Sequence, residues 1–291
     1  MKIEDLALSF VPNLKPEAVA HLLEVFGDAE AIYAASETEL VARAGLRADM
    51  AKKLAAGVGL KAAKMEEKYC HNQGISILCS SAAEYPNRLK FTSDYPHIIY
   101  IVGEQSLLNS SVLVSLVGEQ QDMSSYGRRM VMRIVEQLAE LMPEVVIVGM
   151  LEGCVDSLAM RYAMNCGLRV VAVATSPLGQ LSIDAGRYLA DEILNMGGTV
   201  VSQEGLYSAV EVNRYGAAER IVAGMCDAVV VVECGMVPEV ARCADSYGRL
   251  LCAVPGRATD SMSWGANRMI SSMMAHMVCS GRDIVELLEE S

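Results

Sequence analysis

Short, uninterrupted apolar runs mark the second part of this chain. Residues 228–232 form a nearly all-valine run that follows a helical segment beginning at Arg220, and Glu233 closes the run. Gly224 is predicted to end the helix that precedes it. A strand without polar alternation is buried on both faces, as in a parallel sheet covered by helices. Ligands of such sheets bind beyond the carboxyl ends of the strands, so Glu233 lies where a site is expected.

Apolar runs alternate with helical patterns from residue 112 onward. This rhythm predicts right-handed crossovers and therefore an α/β domain with a Rossmann-like, doubly wound, mostly parallel sheet. The predicted strands are residues 112–117, 145–148, 170–174, 199–201, 228–232 and 250–254, and the predicted helices are residues 126–141, 156–166, 184–196, 212–222 and 239–247.

The amino-terminal residues show helical periodicity instead. Pro16 is placed at a helix start, and Ser36 with Glu39 makes a capping-box pattern. We predict a small, all-helical module over residues 1–65, similar to helix-hairpin-helix or SAM-like modules. A connector over residues 66–105, with strands at 75–79 and 97–102, and a Rossmann-like domain over residues 106–291 complete the predicted organisation.

The first hairpin of the helical module, residues 12–15, contains no glycine. Backbone amides need glycine to approach a phosphate closely, so the hairpin favours packing or protein contact over DNA contact.

Composition narrows the possible functions. The net charge of −12 opposes indiscriminate binding to nucleic acid, so any such role requires a local basic patch. Nine cysteines without a CxxC pair, and only four histidines, argue against a zinc site, and neither a metal nor a cofactor is expected. Acidic residues near the amino terminus and the short apolar runs predict a cytoplasmic protein with no membrane association.

Glycines follow three of the predicted strands. Such positions let a backbone approach a phosphate, and a helix amino terminus adds a favourable field, although strand-to-helix turns also use glycine for structural reasons. Their convergence on one edge of the sheet makes this edge the candidate site. The candidate residues at these loops are Gly118, Tyr126, Gly127, Arg128, Gly149, Gly153, Gly256, Arg257 and Asn267, with Arg268 beside the last loop.

A longer series of motifs runs through the chain in a fixed order. It comprises Tyr85-Pro86, Val117-Gly118, Tyr126-Gly127, Gly149 and Gly153 with Asp156 and Ala159, Arg220 to Gly224, Val231 to Glu233, Gly248-Arg249, Ala253 to Gly256, and Ser263, Gly265, Asn267 and Met269-Ile270. This series resembles the DNA processing protein A family (DprA or Smf), over nearly the whole chain. The resemblance implies a non-enzymatic protein that binds single-stranded DNA in a basic pocket, without sequence preference.

The chain departs from the family pattern in that pocket. The family's arginine after the first VG is matched by Gln120, and its FPxRNR motif aligns with residues 215–220, so that Arg220 is retained and Glu219 replaces the asparagine. The loop after Glu233 is shortened and lacks the family's glycine-serine element. Each lost charged hydrogen bond costs about 1.5–3 kcal/mol, so the pocket is predicted to be eroded.

The resemblance further implies support of DNA uptake and recombination by loading a recombinase, and a homodimer. Single-stranded DNA is expected across the loops at Gly118, Gly149 and Gly256, with Arg220 as the main phosphate ligand and Arg214 as a partial substitute for a lost arginine. Tyr126 could stack on a base. Four methionines, Met269, Met273, Met274 and Met277, would suit an apolar dimer interface.

Two other interpretations stay open at this point. One is a degenerate paralogue that acts as a protein-interaction module, which the acidic charge favours. The other is a nucleotide-binding Rossmann-like enzyme with Glu233 as the acid. Salt-dependent binding of oligo-dT distinguishes the DNA-binding interpretation from these two alternatives.

Overall fold

A mixed β-sheet runs through most of the molecule. The structure is a computed structural model that describes residues 1–118, 123–181, 185–207 and 214–290. In these ranges the strands are β1 (Ser76–Cys79), β2 (Ile98–Gly103), β3 (Leu113–Val117), β4 (Val146–Met150), β5 (Arg169–Val173), β6 (Thr199–Ser202), β7 (Ala228–Val231), β8 (Leu250–Ala253) and β9 (His276–Met277).

The helices form the amino-terminal module and cover both faces of the sheet. They are α1 (Ile3–Leu8), α2 (Pro16–Phe26), α3 (Ala29–Ala34), α4 (Glu37–Ala44), α5 (Ala48–Ala55), α6 (Leu60–Gln73), α7 (Asn87–Lys90), α8 (Ser125–Leu141), α9 (Cys154–Asn165), α10 (Ala185–Asn195), α11 (Arg214–Met225), α12 (Glu239–Ser246), α13 (Trp264–Ser271) and α14 (Gly281–Glu290). No helix among the described residues combines the length and the apolar character that crossing a membrane requires.

The strand order is β1-β2-β6-β5-β4-β3-β7-β8-β9. Strands β3 to β9 pair in parallel, whereas β1 and β2 add an antiparallel edge beside β6. The chain winds from β3 to β6 in one direction and then returns to continue through β7 on the other side of β3. The predicted doubly wound, mostly parallel α/β fold is confirmed, and its winding reverses between β3 and β7.

The two faces of the sheet carry separate apolar cores. Along β3, Leu113 and Val117 face the core formed with α7, α11, α12 and α13, while Val114 and Leu116 face the core formed with α8, α9, α10 and α14. Burial on both faces explains why these strands lack polar alternation in the sequence.

The six predicted strands of the Rossmann-like domain occur within two residues of their expected bounds. The prediction missed β9, α13 and α14. It was also wrong about Gly224, which lies inside α11 instead of ending it. A Cβ at Gly224 would lie 2.6 Å from Leu89 Cδ1, so this glycine permits close packing of α11 against α7. Residue 184 and residues 212–213, included in two predicted helices, lie outside the described residues.

The helices before the sheet follow their sequence signals. Pro16 begins α2, and the Ser36–Glu39 capping box begins α4. Helix α6 runs across residue 65, and β1 and β2 of the predicted connector join the main sheet. The division of the chain into three segments stays a prediction.

Arg88, in α7, forms hydrogen bonds at the amino edge of the sheet. Its Nε donates to Asp227 Oδ1 at 2.6 Å, and Asp227 Oδ2 accepts the backbone N–H of Leu113 at 2.8 Å. Arg249 Nη2 in turn donates to the carbonyls of Arg88 and Gly224. These bonds occupy the amino edge, so the loops of the opposite, carboxyl edge form the candidate site.

Candidate nucleic-acid interface

The centre of the carboxyl edge holds a buried carboxylate. Glu233 is the second residue after β7 and is 2% exposed. The backbone N–H of Ser124 donates to its Oε2 at 2.9 Å, and the Ser124 hydroxyl donates to its Oε1 at 2.5 Å. Ser124 also caps α8, because its Oγ accepts hydrogen bonds from the backbone N–H groups of Tyr126 and Gly127. Glu233 therefore places a negative charge at the amino end of α8, at the reversal point where dinucleotide-binding folds hold a phosphate.

Two predicted site glycines make room for Glu233. A Cβ at Gly127 would overlap the Glu233 carboxylate, and a Cβ at Gly118 would lie 2.7 Å from the Glu233 carbonyl oxygen and 2.6 Å from Val155 Cγ2. Both glycines therefore serve close packing, the structural reason for which strand-to-helix turns also use glycine.

A second carboxyl group fills the loop between β4 and α9. Asp156 is 3% exposed, and its Oδ1 accepts the backbone N–H of Met150 at 2.9 Å. A Cβ at Gly149 would lie 3.0 Å from Asp156 Cβ, and one at Gly153 would overlap the carboxyl group. Burial raises the pKa of Asp156 to about 7, although the bond from Met150 lowers it.

Glu219 lies beside Asp156 at this edge. Both line a cavity of about 10 Å³ together with Gly118 and Pro238, which is room for about one water molecule. Burial, and then the nearby Glu239, raise the pKa of Glu219. Ala218, the preceding residue, is buried in the core. The part of the edge beside β4 is therefore lined by acids. Gln120, the other predicted departure from the family pattern, lies outside the described residues.

The loop after β8 is closed by its own side chains. The backbone N–H of Gly256 donates to Asn267 Oδ1 at 3.1 Å, and Asn267 Nδ2 donates to the Gly256 carbonyl at 3.0 Å. Asn267 thus shapes this loop. The Tyr126 hydroxyl donates to the Pro255 carbonyl at 2.7 Å while its side chain stays 37% exposed, so the ring spans from α8 to the same loop.

Two arginines predicted as phosphate ligands are engaged with acids. Arg220 Nε lies 3.6 Å from Asp94 Oδ2, and its Nη2 donates to Gln203 Oε1 at 2.9 Å. Arg214 Nε lies 3.8 Å from Oε2 of the buried Glu204. Arg220 lines a cavity of about 460 Å³ beneath the α1–α2 loop, where none of the glycine loops contributes.

The exposed cations of the carboxyl edge are other arginines. Arg128 and Arg129 lie in the first turn of α8, Arg257 follows Gly256, and Arg268 lies in α13. All four side chains are exposed, and none forms an ion pair with a described residue. Of the predicted site residues, the structure places Tyr126 against the loop that holds Gly256 and Arg257, leaves Arg128 exposed near the start of α8, and directs Arg214 and Arg220 elsewhere.

The fold and site define a Rossmann-like α/β protein whose central anion position is filled by its own carboxylate. The family model described as DNA recombination-mediator protein A matches residues 76–289. The chain belongs to this family, the DNA processing protein A family, as its motifs predicted.

Relatives with curated descriptions agree with this assignment. Protein Smf of Escherichia coli K12 is 30% identical over 208 residues, which are 70% of this chain and 54% of that protein. The DNA processing protein DprA of Streptococcus pneumoniae R6 is 30% identical over 208 residues, which are 70% of this chain and 71% of that protein. The match thus spans about half of the length of Smf.

Solved structures share the fold. The DNA processing protein A of Streptococcus pneumoniae superposes on this chain with a TM-score of 0.82 at 23% identity, over 98% of this chain and 98% of that one. The DNA processing protein A of Helicobacter pylori, described for its single-stranded DNA binding mode, superposes with a TM-score of 0.64 at 20% identity, over 74% of this chain and 96% of that one.

The packing of Gly127 against Glu233 can be tested with a double-mutant cycle. Gly127→Ala should lower the free energy of unfolding by about 1–3 kcal/mol, because the added Cβ displaces the carboxylate. In a Glu233→Ala background the same change should be neutral or stabilise by up to about 1 kcal/mol, since alanine favours a helix. Urea denaturation of the four proteins measures both effects. Equal costs in the two backgrounds would contradict this packing role.

The buried carboxyl of Asp156 should make stability depend on pH. The folded protein holds its proton up to about pH 7, whereas an unfolded aspartate ionises near pH 3.9. Stability should therefore fall as the pH rises from about 4 to 7, by at most about 1.4 kcal/mol per pH unit, and level off above pH 7.

Asp156→Asn removes this component and serves as the reference. Urea unfolding of both proteins between pH 4.5 and 8.5 isolates the contribution of Asp156 as the difference between their curves. Parallel curves would show that the carboxyl titrates normally.

Proposed function

We propose that this protein binds single-stranded DNA without sequence preference along the carboxyl edge of its sheet. The observation that carries the proposal is the set of exposed arginines, above all Arg128 on α8 and Arg257 after β8, with the Tyr126 side chain joining α8 to the loop of Arg257. Family membership and the described binding mode of the Helicobacter pylori protein support the choice of ligand.

Phosphate recognition by these residues carries no sequence information. Guanidinium groups on exposed loops contact the backbone of any strand, and an exposed tyrosine face stacks on any base. The central crevice is closed to phosphate by Glu233, so the strand lies over the loops and not between them. This arrangement fits a protein that protects or delivers single-stranded DNA of arbitrary sequence.

We expect a modest affinity. Arg214 and Arg220 pair with Glu204 and Asp94, and Glu219 adds an acid to the same edge. With a net charge of −12, the rest of the surface repels a polyanion. Binding is therefore local, and weaker than in a relative that retains the full basic pocket.

Binding, and not catalysis, is the proposed activity. Glu233, the acid of the alternative enzyme interpretation, is buried and accepts two bonds from Ser124. In the proposed role the protein supports DNA uptake and recombination by loading a recombinase onto the bound strand. The family description as a recombination mediator supports this step.

A homodimer is part of the proposal. Met273 and Met277 are 92% and 58% exposed, whereas Met269 belongs to the core. Two exposed methionines close together in sequence suit an adaptable apolar interface.

The DNA site is tested by the salt dependence of oligo-dT binding. Arg128→Ala and Arg257→Ala should each weaken binding and reduce the slope of log K against log salt by about 0.7–1 unit, because each removes one phosphate contact. Arg47→Ala, which removes an exposed arginine of the helical module, is the control and should leave the slope unchanged.

Arg220→Ala distinguishes a DNA site at the carboxyl edge from one in the cavity beneath the α1–α2 loop. We expect it to lower thermal stability, because it leaves Asp94 without its cation, and to leave the salt slope intact. A flattened slope in Arg220→Ala alone would locate the phosphate contact in the cavity beneath the α1–α2 loop. Absence of oligo-dT binding by the parent protein at low salt would favour the protein-interaction interpretation.

Sedimentation tests the dimer. The parent protein should sediment as a dimer at micromolar concentration, and Met273→Glu with Met277→Glu should shift it to monomer, because charges would be buried at the interface. Leu141→Glu, at an exposed apolar residue of α8, is the control. A parent protein that stays monomeric at tens of micromolar would rule out the dimer.

A further inference from the structure

An exposed tryptophan lies beside the proposed DNA path. Trp264, the only tryptophan of the chain, is 59% exposed at the start of α13. Met236, in the shortened loop after Glu233, is 81% exposed. Both line an open groove of about 430 Å³, together with Arg242 and Arg268. Large apolar side chains exposed together commonly mark a binding surface.

The groove is held by the backbone and not by mobile side chains. The Gly265 N–H donates to the Cys234 carbonyl at 2.9 Å, and the Cys234 N–H donates to the Met262 carbonyl at 2.8 Å. A Cβ at Gly265 would lie 2.6 Å from Cys234 Sγ and 2.8 Å from the Met236 carbonyl oxygen, so the two walls approach as closely as glycine permits. The indole N–H donates to the Ala258 carbonyl at 3.3 Å. One edge of the indole is thereby anchored while most of its surface faces solvent.

The charge of the groove selects a ligand that combines an anion with a flat apolar face. Arg268 is exposed and forms no ion pair with a described residue. Arg242 forms an ion pair with Glu239, with 3.0 Å between Nη1 and Oε2. A nucleotide unit has both features, a phosphate and a base. Stacking of a base on an aromatic side chain tolerates any sequence.

The groove also continues the proposed DNA site. The Trp264 indole N–H donates to the Ala258 carbonyl, and the Tyr126 hydroxyl donates to the Pro255 carbonyl. The exposed Arg257 lies between Pro255 and Ala258 in the chain. Carbonyls three residues apart are separated by at most roughly 11 Å. A strand whose phosphate contacts Arg257 therefore passes within a few nucleotides of both rings.

We propose that Trp264 stacks on an unpaired base of single-stranded DNA, with Arg268 contacting a neighbouring phosphate. The proposal rests on the proposed function for DNA binding itself and adds a base-contacting residue that the glycine loops do not supply. The shortened loop after Glu233 leaves this face open, with Met236 as the apolar wall opposite the indole.

The single tryptophan makes the site directly observable. Oligo-dT added to the full chain should quench the intrinsic tryptophan emission, because a stacked base contacts the indole. An abasic oligonucleotide of the same length, with the same phosphates, should bind without this quenching. Emission of the parent protein reports on Trp264 alone, since no other tryptophan is present.

Variants separate stacking from charge. Trp264→Ala should weaken oligo-dT binding about 5- to 150-fold with an unchanged salt slope, and Trp264→Phe should retain most of the affinity. Arg268→Ala should instead reduce the salt slope by about 0.7–1 unit. Tyr188→Ala removes another exposed aromatic residue, on α10, and should bind as the parent does. Unchanged melting temperatures would confirm that the variants fold.

The outcomes distinguish this proposal from the function on which it rests. Salt-dependent binding of oligo-dT without quenching, and with parental affinity in Trp264→Ala, would overturn the stacking site and leave the DNA-binding proposal intact. Failure of the parent protein to bind oligo-dT at low salt would overturn both. A tryptophan emission that shifts with protein concentration and not with DNA would assign this face to contact between protein molecules, which also overturns the proposal.

Discussion

The hydrogen bonds between Glu233 and Ser124 determine which part of the carboxyl edge is open to an anionic ligand. A doubly wound sheet offers a phosphate position where its winding reverses, at the amino end of the helix after the central strand. Here the Glu233 carboxylate occupies that position, and Gly118 and Gly127 pack around it. The helix field stabilises an internal charge in place of a ligand. In the proposed mode of binding, a polyanion therefore lies over the surrounding loops and helix ends that carry the exposed arginines.

Charge at the carboxyl edge is divided between two regions. Asp156 and Glu219 line the part beside β4, and burial raises the pKa of both carboxyl groups. Arg128 and Arg257 occupy the part beside β8 and the start of α8. In a chain of net charge −12, such separation is the condition for a local contact with DNA phosphates.

In the proposed site, aromatic residues give the basic region a second means of holding a strand. Tyr126 and Trp264 both donate a hydrogen bond to carbonyls of the loop after β8, which fixes their rings without burying them. Phosphate contacts weaken steeply with salt, whereas stacking does so much less. A site that combines the two retains part of its affinity when the number of cations is small, as we predict for this chain.

The sequence by itself determined the strands other than β9, the sheet class and the family, because these depend on apolar runs and motifs whose signal is local. The valine run at residues 228–232 is short and β-branched without polar alternation, which predicts a strand buried on both faces. Which side chains meet was decided by the tertiary structure. Ser124 and Glu233 lie 109 residues apart in the chain, and no periodicity predicts their bond. Arg220 has the right place in the family motif, yet the fold brings Asp94 to it, because ion pairs form between whichever charges packing makes neighbours.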